Sequence, residues 1–380
     1  MPMIKIVIGG DYCPIGVNED PSVRGDAEAL FHDLLPVFKA ADCSILNLEA
    51  PLIERETPIS KIGPVLGVPT GSISGLKAAG IDILNLSNNH IMDHGHCGLK
   101  STLEVCRYNG ITTIGAGEDL AAARKIIIRE YNGIRIAFAG MAEHEFAIAG
   151  ESSPGANPFD LVYFLRDIAN GRDTWDYLVV LLHAGVEYYH FPSPRLQEVC
   201  RFLAENGANA VICQHTHCPG CWEEYRGAFL VYGQGNLLFD LPISSPDWNR
   251  GFLVVLDIES PGAGSLKLVP HLQSSPSPGV RMIKKEAAAI FLSEIAKRSE
   301  VLRNERAVQR LWDEYCRKMT GQYLNGLQGY GGFLGRINNK LGFPRLFRSD
   351  RSYRKQLNYI RCESHREALI TILEQKNIGG

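Results

Sequence analysis

The chain has 380 residues, of which 45% are hydrophobic and 21% charged, and its formal net charge is −3 at pH 7. This composition supplies enough apolar surface for a packed core, so it excludes a disordered chain and a fibrous repeat. Neither a run of about 18 apolar residues nor a signal peptide occurs, so no transmembrane segment is predicted. Most of the ten cysteines lie inside apolar patterns, which predicts reduced thiols and a cytoplasmic protein.

The first part of the chain contains three short runs rich in leucine and β-branched residues, IKIVIGG, CSILNLEA and IDILNLSNN. They lack polar alternation, which is typical of strands that are buried on both faces of a sheet. Between them, residues 25–41 and 71–80 place apolar side chains at helical spacing. The order strand, helix, strand, helix predicts a parallel α/β layer.

A second series of elements follows a hairpin turn predicted at Asn132-Gly133. DYLVVLLHAG and ANAVICQHTH are typical of buried strands, and SPRLQEVCRFLAENG between them is typical of a helix. Residues 226–240, 250–260 and 264–272 have the pattern of an antiparallel sheet. Two sheets, each accompanied by helices, predict an α/β fold with four layers, an αββα sandwich.

The last hundred residues differ from the rest in charge. Residues 281–380 carry 20 Lys+Arg against 10 Asp+Glu, whereas residues 1–280 carry 19 against 32. This shift, beside the Pro/Ser-rich segment QSSPSPG, predicts a boundary between a domain at residues 1–280 and a basic, mainly helical C-terminal region at 281–380.

The C-terminal region begins with one long amphipathic helix predicted over residues 284–319, and a last helix is predicted over 361–376. The apolar stripe of the long helix is expected to pack on the first domain or on a second copy of the chain; it contains Ile290, Phe291, Ile295, Val301 and Leu302. The basic, glycine-rich segment from Gly326 to Arg348 is expected to meet an anionic partner. No nucleic acid is expected, because no recognised binding module accompanies the charge.

Side chains that can bind metal stand where the predicted strands end. They are Asp11 after IKIVIGG, Glu49 after CSILNL, Asn89 and His90 after IDILNL, His183 after LVVLL, and His215-x-His217 after AVICQ. Each alone has an ordinary explanation as a cap, a turn former or a core histidine. Because ligands of α/β sheets bind beyond the carboxyl ends of the strands, we expect these residues to converge. Carboxylates, a carboxamide and imidazoles together suit two divalent ions of Mn, Zn or Fe, about 3.5–4 Å apart and bridged by a carboxylate.

Seven segments occur in a fixed order along the chain. They are GD at 10–11, NLEAPL at 47–52, LSNNHIMDHG at 86–95, GITTIGAG at 110–117, HAGVEYYHFPSPRLQ at 183–197, GANAVICQHTH at 207–217 and VYGQGNLLFD at 231–240. With these segments the sequence resembles, over roughly residues 4–260, the CapA-like family of poly-γ-glutamate and capsule biosynthesis proteins, a branch of the calcineurin-like metallophosphoesterase superfamily. The resemblance implies a metallophosphatase-like αββα sandwich, here with a C-terminal helical extension.

The resemblance also implies roles for individual residues. Six would bind two metal ions, with Glu49 as the bridging carboxylate; the others are Asp11, Asn89, His183, His215 and His217. His90 would lie beside the ions without binding them and would protonate the leaving group. Four more residues are expected to support the ligands or to contact the substrate, with Asp93 a candidate to orient a ring; they are Asn88, Asp93, Glu187 and Asn236.

One motif competes with this interpretation. Cys218 and Cys221 form a Cys-x-x-Cys directly after the histidine pair, which is found in redox sites and in half zinc sites. No second Cys-x-x-Cys occurs and the motif does not open a helix, so a turn is predicted instead.

The leading functional hypothesis is a dinuclear metal-dependent hydrolase, a phosphoesterase that acts on a small or polymeric anionic substrate in capsule, poly-γ-glutamate or related polymer biosynthesis. Two alternatives stay open. One is a non-catalytic metal-binding assembly subunit of a capsule-synthesis machinery, since a pathway name does not state a reaction. The other is a metal-dependent γ-glutamyl amide hydrolase. A homo-oligomer formed through the C-terminal helices is compatible with all three.

Overall fold

The computed structural model describes residues 3–171, 173–243, 245, 247–273, 277–327 and 350–377. Its strands, numbered in chain order, are β1 (Ile4–Cys13), β2 (Cys43–Leu48), β3 (Leu52–Ile53), β4 (Val68–Pro69), β5 (Ile83–Asn85), β6 (Thr112–Ile114), β7 (Ala116–Gly117), β8 (Ile127–Tyr131), β9 (Ile134–Ala142), β10 (Gly155–Ala156), β11 (Tyr177–His183), β12 (Ala210–Gln214), β13 (Trp222–Tyr225), β14 (Ala228–Val231), β15 (Asn236–Phe239), β16 (Arg250–Ser260), β17 (Ala263–Gln273) and β18 (Val280–Met282).

The helices lie between these strands and after them. They are α1 (Glu19–Arg24), α2 (Ala27–Phe31), α3 (Leu35–Lys39), α4 (Ile73–Ala79), α5 (Gly95–Tyr108), α6 (Leu120–Ala123), α7 (Leu161–Gly171), α8 (Pro194–Glu205), α9 (Lys285–Val301), α10 (Glu305–Leu327), α11 (Asp350–Arg361) and α12 (Glu363–Asn377), with short 3-10 turns at Gly16–Asn18, His32–Leu34 and Thr70–Ser72. The single helix predicted over residues 25–41 is wrong, because a 3-10 turn that begins at His32, with φ of 39°, separates α2 from α3.

Two large sheets form the centre of the molecule. The first has the strand order β18-β17-β16-β1-β2-β5-β6, with β15 also paired to β1; β1, β2, β5, β6 and β15 run parallel. The second has the order β13-β14-β12-β11-β9-β8, and its inner strands β9, β11, β12 and β14 are parallel. The predicted turn at Asn132-Gly133 is confirmed, since it joins the antiparallel strands β8 and β9.

The two sheets pack face to face, and helices cover both outer faces. Because side chains alternate along a strand, Ile4, Ile6 and Ile8 of β1 point into the core between the sheets, whereas Val7 packs under the helices of the first sheet. A third cluster joins the outer face of the second sheet to α7 and α8. These layers confirm the predicted αββα sandwich with a C-terminal helical region.

The C-terminal region packs against the sandwich through most of the predicted apolar stripe. Phe291 and Ile295 of α9 enter the core between the sheets, and Leu302 joins the cluster under α8. Ile290 does not take part in this packing, since 62% of its surface is exposed in the single chain, and its packing on a second copy stays a prediction. The long helix predicted over 284–319 is also divided, because the Asn304 side chain accepts from Ala307 N and caps α10.

Other C-terminal predictions have mixed outcomes. The glycine-rich segment predicted to be a binding surface lies, beyond Leu327, outside the described residues. Strand β18 continues the first sheet across residue 280, and the domain boundary at that position stays a prediction. Cys218 and Cys221 are free thiols, and they lie in the loop between β12 and β13. Among the described helices, none combines the length and the apolarity needed to cross a membrane.

A buried histidine in β17 makes the stability of the fold sensitive to acid. His271 is fully buried, neither ring nitrogen has a hydrogen-bond partner among the described residues, and burial lowers its pKa from 6.5 to about 3. The native chain therefore binds fewer protons at this site than the unfolded chain, so stability is lost as the pH falls from 6.5 toward 3.

The substitution His271→Leu should remove this contribution. Between about pH 6.5 and 4.5, the free energy of unfolding of the wild-type chain should fall by about 2–3 kcal/mol more than that of the variant. Urea unfolding at a series of pH values measures both slopes. Parallel slopes would show that His271 does not titrate on unfolding.

Candidate metal centre

Polar side chains lie level with one another at the carboxyl ends of the parallel strands. In the first sheet Asp11 is paired with Asn47, and Asn47 with Asn85. In the second sheet His183 is paired with Gln214 at the end of β12. Because the sheets are stacked, both rows open on the same edge of the sandwich.

The backbone at the end of β1 is closely packed, which explains the glycine before Asp11. A Cβ atom on Gly10 would lie 2.1 Å from the carbonyl oxygen of Gly235, so no larger residue fits without displacing the strand. The ladder shifts register after Asp11, where β15 joins β1. Asp11 therefore lies at an irregular strand end that is held between two neighbours.

Glu49 is a fully buried carboxylate whose two oxygens have no hydrogen-bond partner among the described residues. Its Oε1 lies 3.5 Å from His183 Nε2 and 3.8 Å from His217 Nε2. Burial, together with the nearby Asp11 carboxylate, raises the pKa of Glu49 well above its ordinary value. An unsatisfied buried carboxylate is costly, and a bound cation would remove that cost. Its surroundings therefore fit a metal ligand.

Two groups of possible ligand atoms share Glu49. One consists of Glu49, His183 and His215 and the other of Asp11, Glu49 and His217; within each group the atoms lie within 4.8 Å of one another. Asn89 adds a carboxamide oxygen 3.1 Å from His183 Nε2. The structure thus brings together all six predicted ligands around one shared carboxylate, in buried clusters compatible with metal binding.

The histidine pair does not lie on a strand. The pattern ANAVICQHTH predicts a strand that continues through His217, but β12 ends at Gln214. Both histidines have left-handed backbone, with φ of 96° and 52°. This conformation is uncommon and costly for a residue other than glycine. The turn directs His215 Nδ1 to within 3.1 Å of His183 Nε2.

The charge states of the three histidines differ. Burial lowers the pKa of His183 and of His215, which leaves both rings neutral at neutral pH. Burial also disfavours the His217 imidazolium, but the carboxylates of Glu49 and Asp11 raise its pKa to about 10. A metal ion would have to displace that proton, so metal binding at this centre should be coupled to proton release.

His90 lies in a buried network next to these residues. Its Nδ1 donates to Asp93 Oδ2 at 2.7 Å, and Lys61 Nζ lies 2.5 Å from the other Asp93 oxygen and 3.1 Å from His90 Nδ1. Burial and the Lys61 cation lower the pKa of His90 to about 4. The Asp93 carboxylate thus contacts the ring at Nδ1, on the side opposite Nε2.

The other predicted support residues have different surroundings. Asn88 donates to Leu48 O at 2.8 Å and accepts from His90 N at 3.1 Å, so it shapes the loop. Asn236 Oδ1 accepts from His217 Nδ1 at 2.8 Å, which leaves Nε2 on the side of Glu49. Glu187 is exposed, and although some burial acts against its charge, His217 and His215 lower its pKa. Of these, Glu187 is the one exposed to solvent.

Sequence reasoning missed three residues of the centre. Asn47 Nδ2 donates to Asp11 Oδ1 at 2.8 Å and lies 3.3 Å from His183 Nδ1, so it links the two sheets. Lys61, whose side chain is 2% exposed, pairs with Asp93 from a long loop. Glu145 Oε1 lies 3.7 Å from His215 Nε2. An asparagine inside an apolar strand was a usable signal for the first, because buried amides need partners.

Comparisons with known proteins agree with the motifs. Residues 5–241 match the model of the family described as bacterial capsule synthesis protein PGA_cap. The chain is 28% identical over 299 residues to "Capsule biosynthesis protein CapA" of Bacillus anthracis, which covers 75% of this chain and 70% of the relative. It is 29% identical over 273 residues to "PGA biosynthesis protein CapA" of Bacillus subtilis (strain 168), covering 69% of each. A solved structure, a putative 5'-nucleotidase from Staphylococcus aureus in complex with alpha-ketoglutarate, aligns at 14% identity and a TM-score of 0.45, over 77% of this chain and 58% of that chain.

Proposed function

We propose that this chain, which belongs to the PGA_cap family of bacterial capsule synthesis proteins, is a metal-dependent hydrolase and specifically a phosphoesterase. Two divalent ions would be held by the six converging residues, with Glu49 between them. The observation that carries the proposal is the buried Glu49 carboxylate, shared by both ligand groups and without a hydrogen bond among the described residues. A purely structural role gives no reason to bury an unsatisfied carboxylate.

The donor set fits the chemistry of the proposed ions. Carboxylate, carboxamide and imidazole ligands suit Mn²⁺, Zn²⁺ or Fe rather than a thiolate-bound metal. Such ions supply Lewis-acid chemistry: they lower the pKa of water and neutralise charge on substrate oxygens. The chain's own contribution is to hold these ligands in a buried place, where charge is weakly screened.

His90 is the residue proposed to move a proton. In the substrate-free chain it is neutral at pH 7, because burial and Lys61 lower its pKa. An anionic oxygen beside Nε2 would favour the imidazolium, and Asp93, bonded to Nδ1, would stabilise it. His90 can then give its proton to the departing oxygen, which is the role of a general acid.

The biological setting is proposed from the relatives. Their names place them in capsule and PGA biosynthesis, so we propose that the substrate arises in such a pathway or in related polymer synthesis. The exposed Glu187 and the histidines beside it would meet that substrate at the open side of the centre.

A substrate screen on the full-length, metal-loaded chain tests the reaction type. Phosphomonoesters, phosphodiesters and γ-glutamyl peptides are offered to the chain loaded with Mn²⁺, Zn²⁺ or Fe²⁺. Release of phosphate or of an alcohol from a phosphoester supports the proposal. Cleavage confined to γ-glutamyl peptides would assign an amide hydrolase instead, and inactivity on all three classes would favour a non-catalytic subunit.

A further inference from the structure

The C-terminal helices contact the segment that follows β9, close to the metal centre. At the start of α12, Glu363 accepts from His144 N at 2.9 Å and from His144 Nδ1 at 2.7 Å. The next residue, Ser364, donates to the buried carboxylate of Glu143 at 2.6 Å. Residues 143 and 144 are therefore fixed by a part of the chain more than 200 positions away, and Glu145 follows them directly.

Glu145 faces the far side of a proposed metal ligand. Its side chain is 9% exposed, and its Oε1 lies 3.7 Å from His215 Nε2. The other ring nitrogen of His215 lies 3.1 Å from His183 Nε2, inside the first ligand group. The imidazole thus stands between the ligand group and the carboxylate. At 3.7 Å the contact is electrostatic rather than a hydrogen bond, and it favours the tautomer with the proton on Nε2, which leaves the Nδ1 lone pair for a cation.

Glu145 is also close to α11. The Asn358 carboxamide of that helix lies within interaction range of the Glu145 carboxylate. The Oδ1 atom of that carboxamide is buried without a hydrogen-bond partner among the described residues. His365 of α12 is within electrostatic range of Glu145, and its Nδ1 is fixed by the Tyr323 hydroxyl at 2.9 Å.

We propose that Glu145 is a positioning residue for His215 and that α11 holds Glu145 in place through Asn358. The inference rests on the proposed metal-dependent function. It means that the metal centre is completed by residues outside the family match, which ends at residue 241. The C-terminal helices would then be a structural part of the centre and not only a separate binding region.

The test compares metal affinities of full-length variants. Glu145→Gln removes the charge with little change in volume, and Asn358→Leu removes the carboxamide beside Glu145. Glu143→Gln is the matched control. Glu143 is a buried glutamate on the same segment as Glu145, and its carboxylate accepts a hydrogen bond from Ser364 of α12. Affinity is measured by competition of Mn²⁺ and Zn²⁺ with a fluorescent chelator, and the absorption spectrum of the Co²⁺-loaded chain reports the geometry of its ligands.

We expect Glu145→Gln to lower the affinity for one of the two ions by about 10–100-fold, because the loss of a partner of a ligating histidine typically has this effect. The Co²⁺ spectrum should change as well. Asn358→Leu should act in the same direction but less strongly, and Glu143→Gln should leave both readouts unchanged. Near-ultraviolet circular dichroism confirms that each variant is folded.

Two results would overturn the inference alone. Wild-type affinity in Glu145→Gln would show that Glu145 does not position His215, and equal losses in Glu143→Gln would assign the effect to helix docking in general. A wild-type chain that binds no metal would instead overturn the proposed function, and the inference with it.

Discussion

Replacing Glu49 by Gln should abolish stoichiometric metal binding and, with it, metal-dependent hydrolysis. Glu49 is the residue common to both ligand groups, so its loss weakens both sites at once. Removing only a partner of a ligand costs about 10–100-fold in affinity, and removing the shared ligand itself should cost more than that. Metal content after equilibrium dialysis and the rate of phosphoester hydrolysis measure the two effects.

The same substitution should stabilise the metal-free chain. Burial raises the pKa of Glu49, so its carboxyl opposes folding as the pH rises above the ordinary value of 4.5. A neutral amide removes that penalty, and the gain at pH 7 should be about 1–3 kcal/mol, the usual cost of an unsatisfied buried group. Metal should raise the melting temperature of the wild-type chain but not that of the variant.

A matched control separates this result from a general loss of charge. Glu54 is exposed on the following loop, so Glu54→Gln should change neither metal content nor stability beyond the few tenths of a kcal/mol usual for surface positions. Glu49→Gln with wild-type metal content would mean that Glu49 is not a ligand.

Replacing His90 by Asn should lower the turnover number by about 10²–10⁴-fold while metal content stays at the wild-type level, because one acid–base group contributes this much. His90 contacts Asp93 and Lys61 and is in neither ligand group, so the ions should still bind. Steady-state kinetics and metal analysis on the same preparation give both quantities.

The exposed His96, paired with Glu118, offers the control His96→Asn, which should leave turnover unchanged. If His90→Asn retains full turnover, His90 is not the proton donor. If it loses metal as well as activity, His90 is part of the ligand set, and the assignment of roles must be revised.

The convergence of the proposed ligands was predictable, because these residues stand at the ends of predicted strands. Asp11, Glu49 and His183 each follow an apolar run that is typical of a buried strand, and parallel strands of one sheet end at the same edge. The resemblance to a known family added the role of each residue. Local patterns were less informative where the backbone departs from regular structure, as in the left-handed turn at His215 and His217.

The surrounding contacts were not predictable from the same patterns. Lys61 lies in a loop without periodicity, and a lysine in such a loop is normally a solvated charge. Glu145 and Asn358 are 213 positions apart, and no local signal indicates that they meet. The charge shift near residue 280 predicts a separate tail, whereas the apolar spacing within that tail predicts the packing of Phe291 and Ile295, whose side chains enter the core.

The most direct test of the metal-dependent function is a cycle of metal removal and return on the full-length chain, with phosphoester hydrolysis as the readout. We expect hydrolysis to be lost when a chelator removes the metal, to return with added Mn²⁺ or Zn²⁺, and to reach its maximum at about two ions per chain, as a two-metal site requires. Hydrolysis that survives complete metal removal, or that is absent at every metal loading, would contradict it.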